Sequence, residues 1–178
     1  IGARQKGAEI HRFTPVTATV PQPDGTWIVE TPNGNIRTEW VINAAGLWGR
    51  EVAKLAGINL PLLPTEHQYF VTESIPEIAA MDRRLPSVAD RDGEYYLRQE
   101  GQGLLVGAYE KDVRFWAEDG TPQGFGHELF ADDLERIEDN IMRAIDRVPT
   151  VGEAGIKRVI NGPMIWSPDS NVLYGPHP

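Results

Sequence analysis

The chain has 178 residues, 40% of them hydrophobic, enough for one large domain or parts of two with a real core. Lys plus Arg is 17 and Asp plus Glu is 26, so the net charge is 17 − 26 = −9, which argues against a nucleic-acid partner. The absence of cysteine excludes disulfides, thiolate catalysis, Fe–S clusters and cysteine-based zinc sites. No apolar run approaches the roughly 18 residues of a membrane span, and no secretory signal opens the sequence, so no membrane partner and a cytoplasmic location are expected.

In chain order, residues 8–46 read as strands and tight turns. Asp24-Gly25 and Asn33-Gly34 are dipeptides suited to positive φ in two-residue hairpin turns, and "TWIVET" lies between them. This predicts a three-stranded meander whose last strand ends in the small residues of "VINAAG". Small residues at a strand end let a backbone or a ligand come close. "LWGREVAKLAG" suits a short helix with Leu47, Val52, Leu55 and Ala56 inward and Gly57 at its stop.

A proline-bearing linker, "INLPLLP", leads into the strand "HQYFVTE". One helical turn is predicted in "IPEIAAMDRRLP", then strands "GEYYLRQ" and "GLLVGAYE", the second a buried central strand. Residues 112–127 are rich in Gly, Pro and charge and suit a surface excursion. Phe130, Leu134, Ile137, Ile141, Ile145 and Val148 then recur on one helical face, with Asp132 and Glu135 placed as a capping box and Pro149 as the stop. "AGIKRVINGPMIWSPDSNVLYGPHP" reads as a strand, a loop and a short final strand.

No P-loop and no G-x-G-x-x-G is present; "GQGLLV" has Val106 where the third glycine belongs and runs into a strand. His11, His67, His127 and His177 lack metal-ligand spacing, so no metal site is expected, and there is no G-x-S-x-G. Two constellations remain. In "VINAAGLWG", a strand, a small-residue turn and a helix start can face a flat cofactor; on pattern alone an ordinary strand-to-helix junction leads. The second is His67, Tyr69, Tyr95, Tyr96 and Arg98 on two strands. Alternation sends His67 and Tyr69 one way and sets Tyr95 opposite to Tyr96. Such a wall could bind an amine or a carboxylate, and a polar edge of a half-buried sheet is the plainer explanation.

The order "VINAAGLWGREVAKLAGINLPLLPTEHQYFVTE", "YYLRQEGQGLLVGAYE", "INGPMIWSPDSNVLYGP" resembles the FAD-dependent dimethylglycine and sarcosine dehydrogenase family, within the D-amino-acid-oxidase-like superfamily. "INAAGLW" is common to the superfamily and "P-x-x-HQY-x-VTE" to the narrower branch. The resemblance implies an α+β fold: a β-meander from an FAD-binding domain, then a substrate domain built on a mixed or antiparallel sheet with flanking helices. Residues 1–57 would be the last part of the FAD domain and 58–178 the substrate domain with its return strand, a middle piece of a longer protein.

The resemblance also implies roles. His67 matches the active-site histidine, and Tyr96 the active-site tyrosine, with Tyr95 its competitor. Tyr69, Tyr95 and Arg98 would face substrate. Val16, Ala45, Gly46 and Trp48 would lie against FAD. The implied reaction is oxidation of an N-methyl group of a small amino acid by hydride transfer to flavin, with oxygen or a carrier protein as electron acceptor. The alternatives are a glycine or D-amino acid oxidase, or a non-catalytic module. As an isolated chain the piece is expected to be inactive and without FAD. "SPDS" departs from the family's Pro-Asp-Gly at Ser170, which bears on the turn and not on the chemistry.

Overall fold

A computed structural model describes residues 1–177. The fold is α+β, as expected, and it divides into two compact units, Ile1–Leu62 and Leu63 onward.

The first unit opens with a single turn, α1 (Gly2–Gln5), and carries the meander β1 (Ala18–Pro21), β2 (Trp27–Thr31) and β3 (Gly34–Thr38), all antiparallel in that order. Gly25 and Gly34 both take positive φ (82° and 124°), but Gly34 already pairs with Thr31, so the second turn is Pro32-Asn33, one residue ahead of the expected Asn33-Gly34. The first turn is longer than expected. Pro21 pairs with Trp27, so Gln22 to Thr26 form the loop. The Asp24 carboxylate accepts from the Thr26 N–H (3.1 Å) and hydroxyl (2.7 Å) and pairs with Arg37, which holds the wider loop in shape.

The third strand stops at Thr38 and does not reach "VINAAG". A strand exists only through a neighbour's backbone, and among the described residues nothing pairs with 40–45, where Trp40 and Ile42 are 72% and 86% exposed. A 3₁₀ turn (Gly46–Trp48) leads into α2 (Gly49–Leu55). Gly57, at φ 74°, ends that helix as its sequence foretold: the Ile58 N–H reaches Ala53 and the Gly57 N–H reaches Lys54.

The second unit is a five-stranded antiparallel sheet, β4 (Leu63–Thr72), β5 (Val88–Asp90), β6 (Tyr95–Glu100), β7 (Gly103–Ala108) and β8 (Ile156–Trp166), in the spatial order β5-β6-β7-β4-β8. The "GLLVG" strand, β7, is central and buried throughout. One turn, α3 (Pro76–Ala79), precedes β5. The helix α4 (Glu138–Arg147) is followed by α5 (Thr150–Glu153) after the Pro149 stop. One sheet face, through Phe70, Tyr95, Leu97, Leu104 and Val106, packs on Ala144 and Val151, with Ile141, Ile145 and Val148 at the margin.

Helical structure there begins later than the capping signature suggests. A 3₁₀ turn (Glu135–Ile137) comes first, and no side chain caps either start. The reason is tertiary. The buried Gln68 amide donates to the Asp133 carbonyl (2.6 Å) and accepts from its N–H (3.2 Å), and the Phe130 N–H donates to Asn161 (2.8 Å). Segment 130–133 is thereby held along the sheet, and Asp132 is not free to cap. The final short strand does not form either: residues 171–177 carry no strand, and Val172 and Tyr174 are exposed.

Candidate functional site

The pleat decides what faces what. Gly107 on β7 stands opposite both Tyr69 of β4 and Tyr96 of β6, so these three positions form one row on the face away from α4. The next row along holds His67, paired across with Gly162 of β8, and Tyr109, just past the end of β7.

On that face the rings gather. His67 lies 5.2 Å from Tyr109 and 6.3 Å from Tyr96, centroid to centroid, with interplanar angles of 30° and 15°. Tyr96 and Tyr109 are 5.4 Å apart, and Trp166 meets Tyr109 edge-on at 6.2 Å and 79°. Gly107 makes this possible. A Cβ there would collide with the phenol carbons and hydroxyl of Tyr96, whose ring lies across the bare backbone toward β4.

The two tyrosines of "YY" therefore have different places. Tyr95 is 2% exposed in the core, on the opposite face, where its hydroxyl bonds the Asp90 side chain. Tyr96 shares the His67 face. Arg98 is on that face too, one row further off, opposite Leu105, and it pairs with Glu100 at 2.9 Å. Tyr109 and Trp166 escaped sequence reasoning. Gly107 inside an apolar strand was the available signal, since such a glycine marks close approach of another group.

Burial, and secondarily the Arg136 guanidinium, hold the His67 imidazole below its ordinary value, so it is neutral at pH 7. Burial, with Tyr109 and Tyr69 adding to it, pushes the Tyr96 phenol up, so its hydroxyl keeps its proton. The pair thus presents a neutral base and a hydrogen-bond donor on one wall.

The residues singled out for a nucleotide all lie in the first unit. Val16 is half exposed, just before β1. Ala45, Gly46 and Trp48 form the turn into α2. Asn43, which sequence reasoning passed over, shapes that turn: its amide donates to the Gly49 carbonyl (2.8 Å) and its oxygen accepts from the Ala45 N–H (3.2 Å).

A family model described as "DAO: FAD dependent oxidoreductase" matches residues 1–178. The chain belongs to this family. It is 48% identical to the mitochondrial dimethylglycine dehydrogenase of Mus musculus over 99% of its length, and 38% identical to the mitochondrial sarcosine dehydrogenase of Homo sapiens over the same share. It spans about a fifth of those relatives, 21% and 19%. Among solved structures, glycine oxidase from Geobacillus kaustophilus superposes with a TM-score of 0.69 at 21% identity, over 99% of this chain and 42% of that one. That likeness shows the DAO fold.

The cytoplasmic expectation is overturned by these relatives, which are mitochondrial proteins. Absence of cysteine fits a reducing compartment without naming one. No helix among the described residues is long and apolar enough to cross a membrane.

The DAO family implies FAD. The turn at 43–46 fits one flat face of such a group: its side chains are small, and a Cβ on Gly46 (φ 55°) would meet nothing within 4 Å.

Proposed function

We propose that the chain is the substrate-facing part of a parent protein that oxidises N-methyl groups of small amino acids of the dimethylglycine and sarcosine type. The observation that carries this is the meeting of His67, Tyr96 and Tyr109 on one sheet face in a chain 48% identical to a dimethylglycine dehydrogenase. Val16, Ala45, Gly46 and Trp48 would hold FAD, which when bound supplies the hydride acceptor.

The chain's own residues prepare the amine. A substrate ammonium has no lone pair to assist loss of hydride from its methyl group. A neutral imidazole nitrogen of His67 takes the ammonium proton and releases that lone pair. The Tyr96 hydroxyl, kept protonated by burial, donates a hydrogen bond and orients the substrate. As the carbon–hydrogen bond breaks, the lone pair becomes the new carbon–nitrogen bond and positive charge grows on nitrogen. The faces of Tyr109 and Trp166, set at 79°, are suited to that charge. Because the neutral amine gains less from them than the developing iminium does, the benefit falls on the transition state.

The test is anaerobic reduction of the purified full-length flavoprotein. Dimethylglycine or sarcosine should bleach the flavin band far faster than glycine does. Equal rates with glycine would remove the N-methyl assignment, and a colourless protein would remove the enzyme. A glycine or D-amino acid oxidase reading is weaker, because the glycine oxidase likeness reaches 21% identity and speaks for fold alone.

A further inference from the structure

The stack of His67 on Tyr109 lies just past the last pair that β4 and β7 share. β4 and β7 are joined at Val71–Leu105, Phe70–Val106 and Tyr69–Gly107, and their ladder stops there. His67 and Tyr109 are the next residues along that face, beyond the last pair of that ladder.

Something else spans the gap from behind. The residue before His67 is Glu66 and the residue after Tyr109 is Glu110. Alternation turns both carboxylates to the opposite face. There they meet one side chain, Arg136, from the 3₁₀ turn ahead of α4. Its nitrogens lie 3.3 Å from Glu66, 3.5 Å from Glu110 and 3.8 Å from Asp133. The Arg136 and Glu110 side chains are 4% and 5% exposed. Among the described residues, none of the guanidinium nitrogens makes a hydrogen bond of normal geometry. Arg114 closes the outer side, 3.0 Å from Asp133 and 3.9 Å from Glu66. A buried guanidinium without hydrogen bonds is costly, and its placement between the two strand ends calls for a reason.

We propose that Arg136 is a positioning residue for the His67 site: it ties the ends of β4 and β7, past their last shared pair, together through Glu66 and Glu110, and so fixes the stack of His67 on Tyr109 from behind the sheet. The inference rests on His67 being the proton acceptor described above. Arg136 also acts on His67 through charge, since a cation this close opposes an imidazolium. The groups that bear on His67 are Tyr69 and Glu66 on its own strand, Tyr96 on β6, Tyr109 and Glu110 at the end of β7, Arg114 from the excursion that follows β7, and Asp133 and Arg136 from the segment behind. The facing β8 residues, Asn161 to Pro163, carry no titratable group.

The experiment is an NMR titration of the His67 ring protons in the 178-residue chain, assigned by their loss in His67→Gln. It needs no flavin. In Arg136→Met the midpoint should move to higher pH, because the guanidinium charge that opposes an imidazolium is gone, and the ring-current shift that Tyr109 imposes on His67 should shrink. Arg136→Lys should restore the midpoint. Glu66→Gln with Glu110→Gln keeps the arginine and removes both ties. Its midpoint should move to lower pH while the ring-current shift again shrinks. This second variant decides the matter if Arg136→Met does not fold. An unchanged midpoint and ring-current shift in whichever variants fold would overturn the proposal. In the parent flavoprotein, Arg136→Met should slow reduction by dimethylglycine at pH 7 on the order of tenfold, with Arg136→Lys near the starting rate. A parent that dimethylglycine does not reduce removes the function and leaves the titration to judge Arg136.

Discussion

The Tyr96 ring lies across Gly107, in the space a Cβ would take. That contact aims Tyr96 across β7 toward His67 on β4. Any side chain at 107 must lift the phenol or push the strands apart. Gly107→Ala is therefore expected to cost about 1–3 kcal/mol of stability, the usual range for overpacking. In the parent it should also cost at least as much flavin-reduction rate as Tyr96→Phe. Urea unfolding of the chain and stopped-flow reduction of the parent check the two halves. A Gly107→Ala protein with normal stability and rate would show that Tyr96 does not depend on that space.

Replacing His67 by Gln removes the base and keeps much of the shape. In the parent, flavin reduction by dimethylglycine at pH 7 should fall on the order of 10²-fold. The pH dependence is the sharper sign. With His67 the rate should rise with pH as the imidazole loses its proton, at a midpoint held low by burial and by Arg136. His67→Gln should lose that step. A mutant with the step intact would assign it to another group.

What was legible in the sequence is what local chemistry sets. Gly25, Gly34 and Gly57 are where positive φ is needed, and Leu134, Ile141, Ile145 and Val148 follow a helical period against the core. What was not legible depends on partners. "VINAAG" has the composition of a strand, yet nothing described pairs with it. Asp132 and Glu135 have the spacing of a cap, yet Gln68, 65 residues before Asp133, claims the backbone between them. The candidate site divides likewise. His67 and Tyr96 are marked by motif. Tyr109 joins them only through the register that puts Gly107 opposite both Tyr69 and Tyr96, and register is not written in either strand alone.

FAD added to the 178-residue chain is expected to bind weakly or not at all. Its diphosphate calls for a helix N-terminus or glycine-rich cradle of free N–H groups, and the sequence contains no G-x-G-x-x-G. In the function proposed above, the turn at 43–46 would add no more than a flat contact. Fluorescence titration of free FAD against the chain measures this, and a tight stoichiometric end point would contradict it.

Stability should also carry the mark of His67. Its folded value lies below the ordinary one near 6.5, from burial first and Arg136 second. The unfolded chain then takes up a proton at a pH where the folded chain does not. By linkage, the stability tied to neutral His67 is complete above about 6.5 and is lost as pH falls from there toward the folded value. Glu110, whose carboxyl burial pushes up, works in the opposite direction in both proteins and so drops out of their comparison. Urea midpoints measured at intervals between about pH 7.5 and 5 should therefore decline in the wild-type chain and decline less in His67→Gln. Parallel curves for the two proteins would mean that His67 titrates alike folded and unfolded, and that the imidazole is not held neutral by its burial beside Tyr96 and Tyr109.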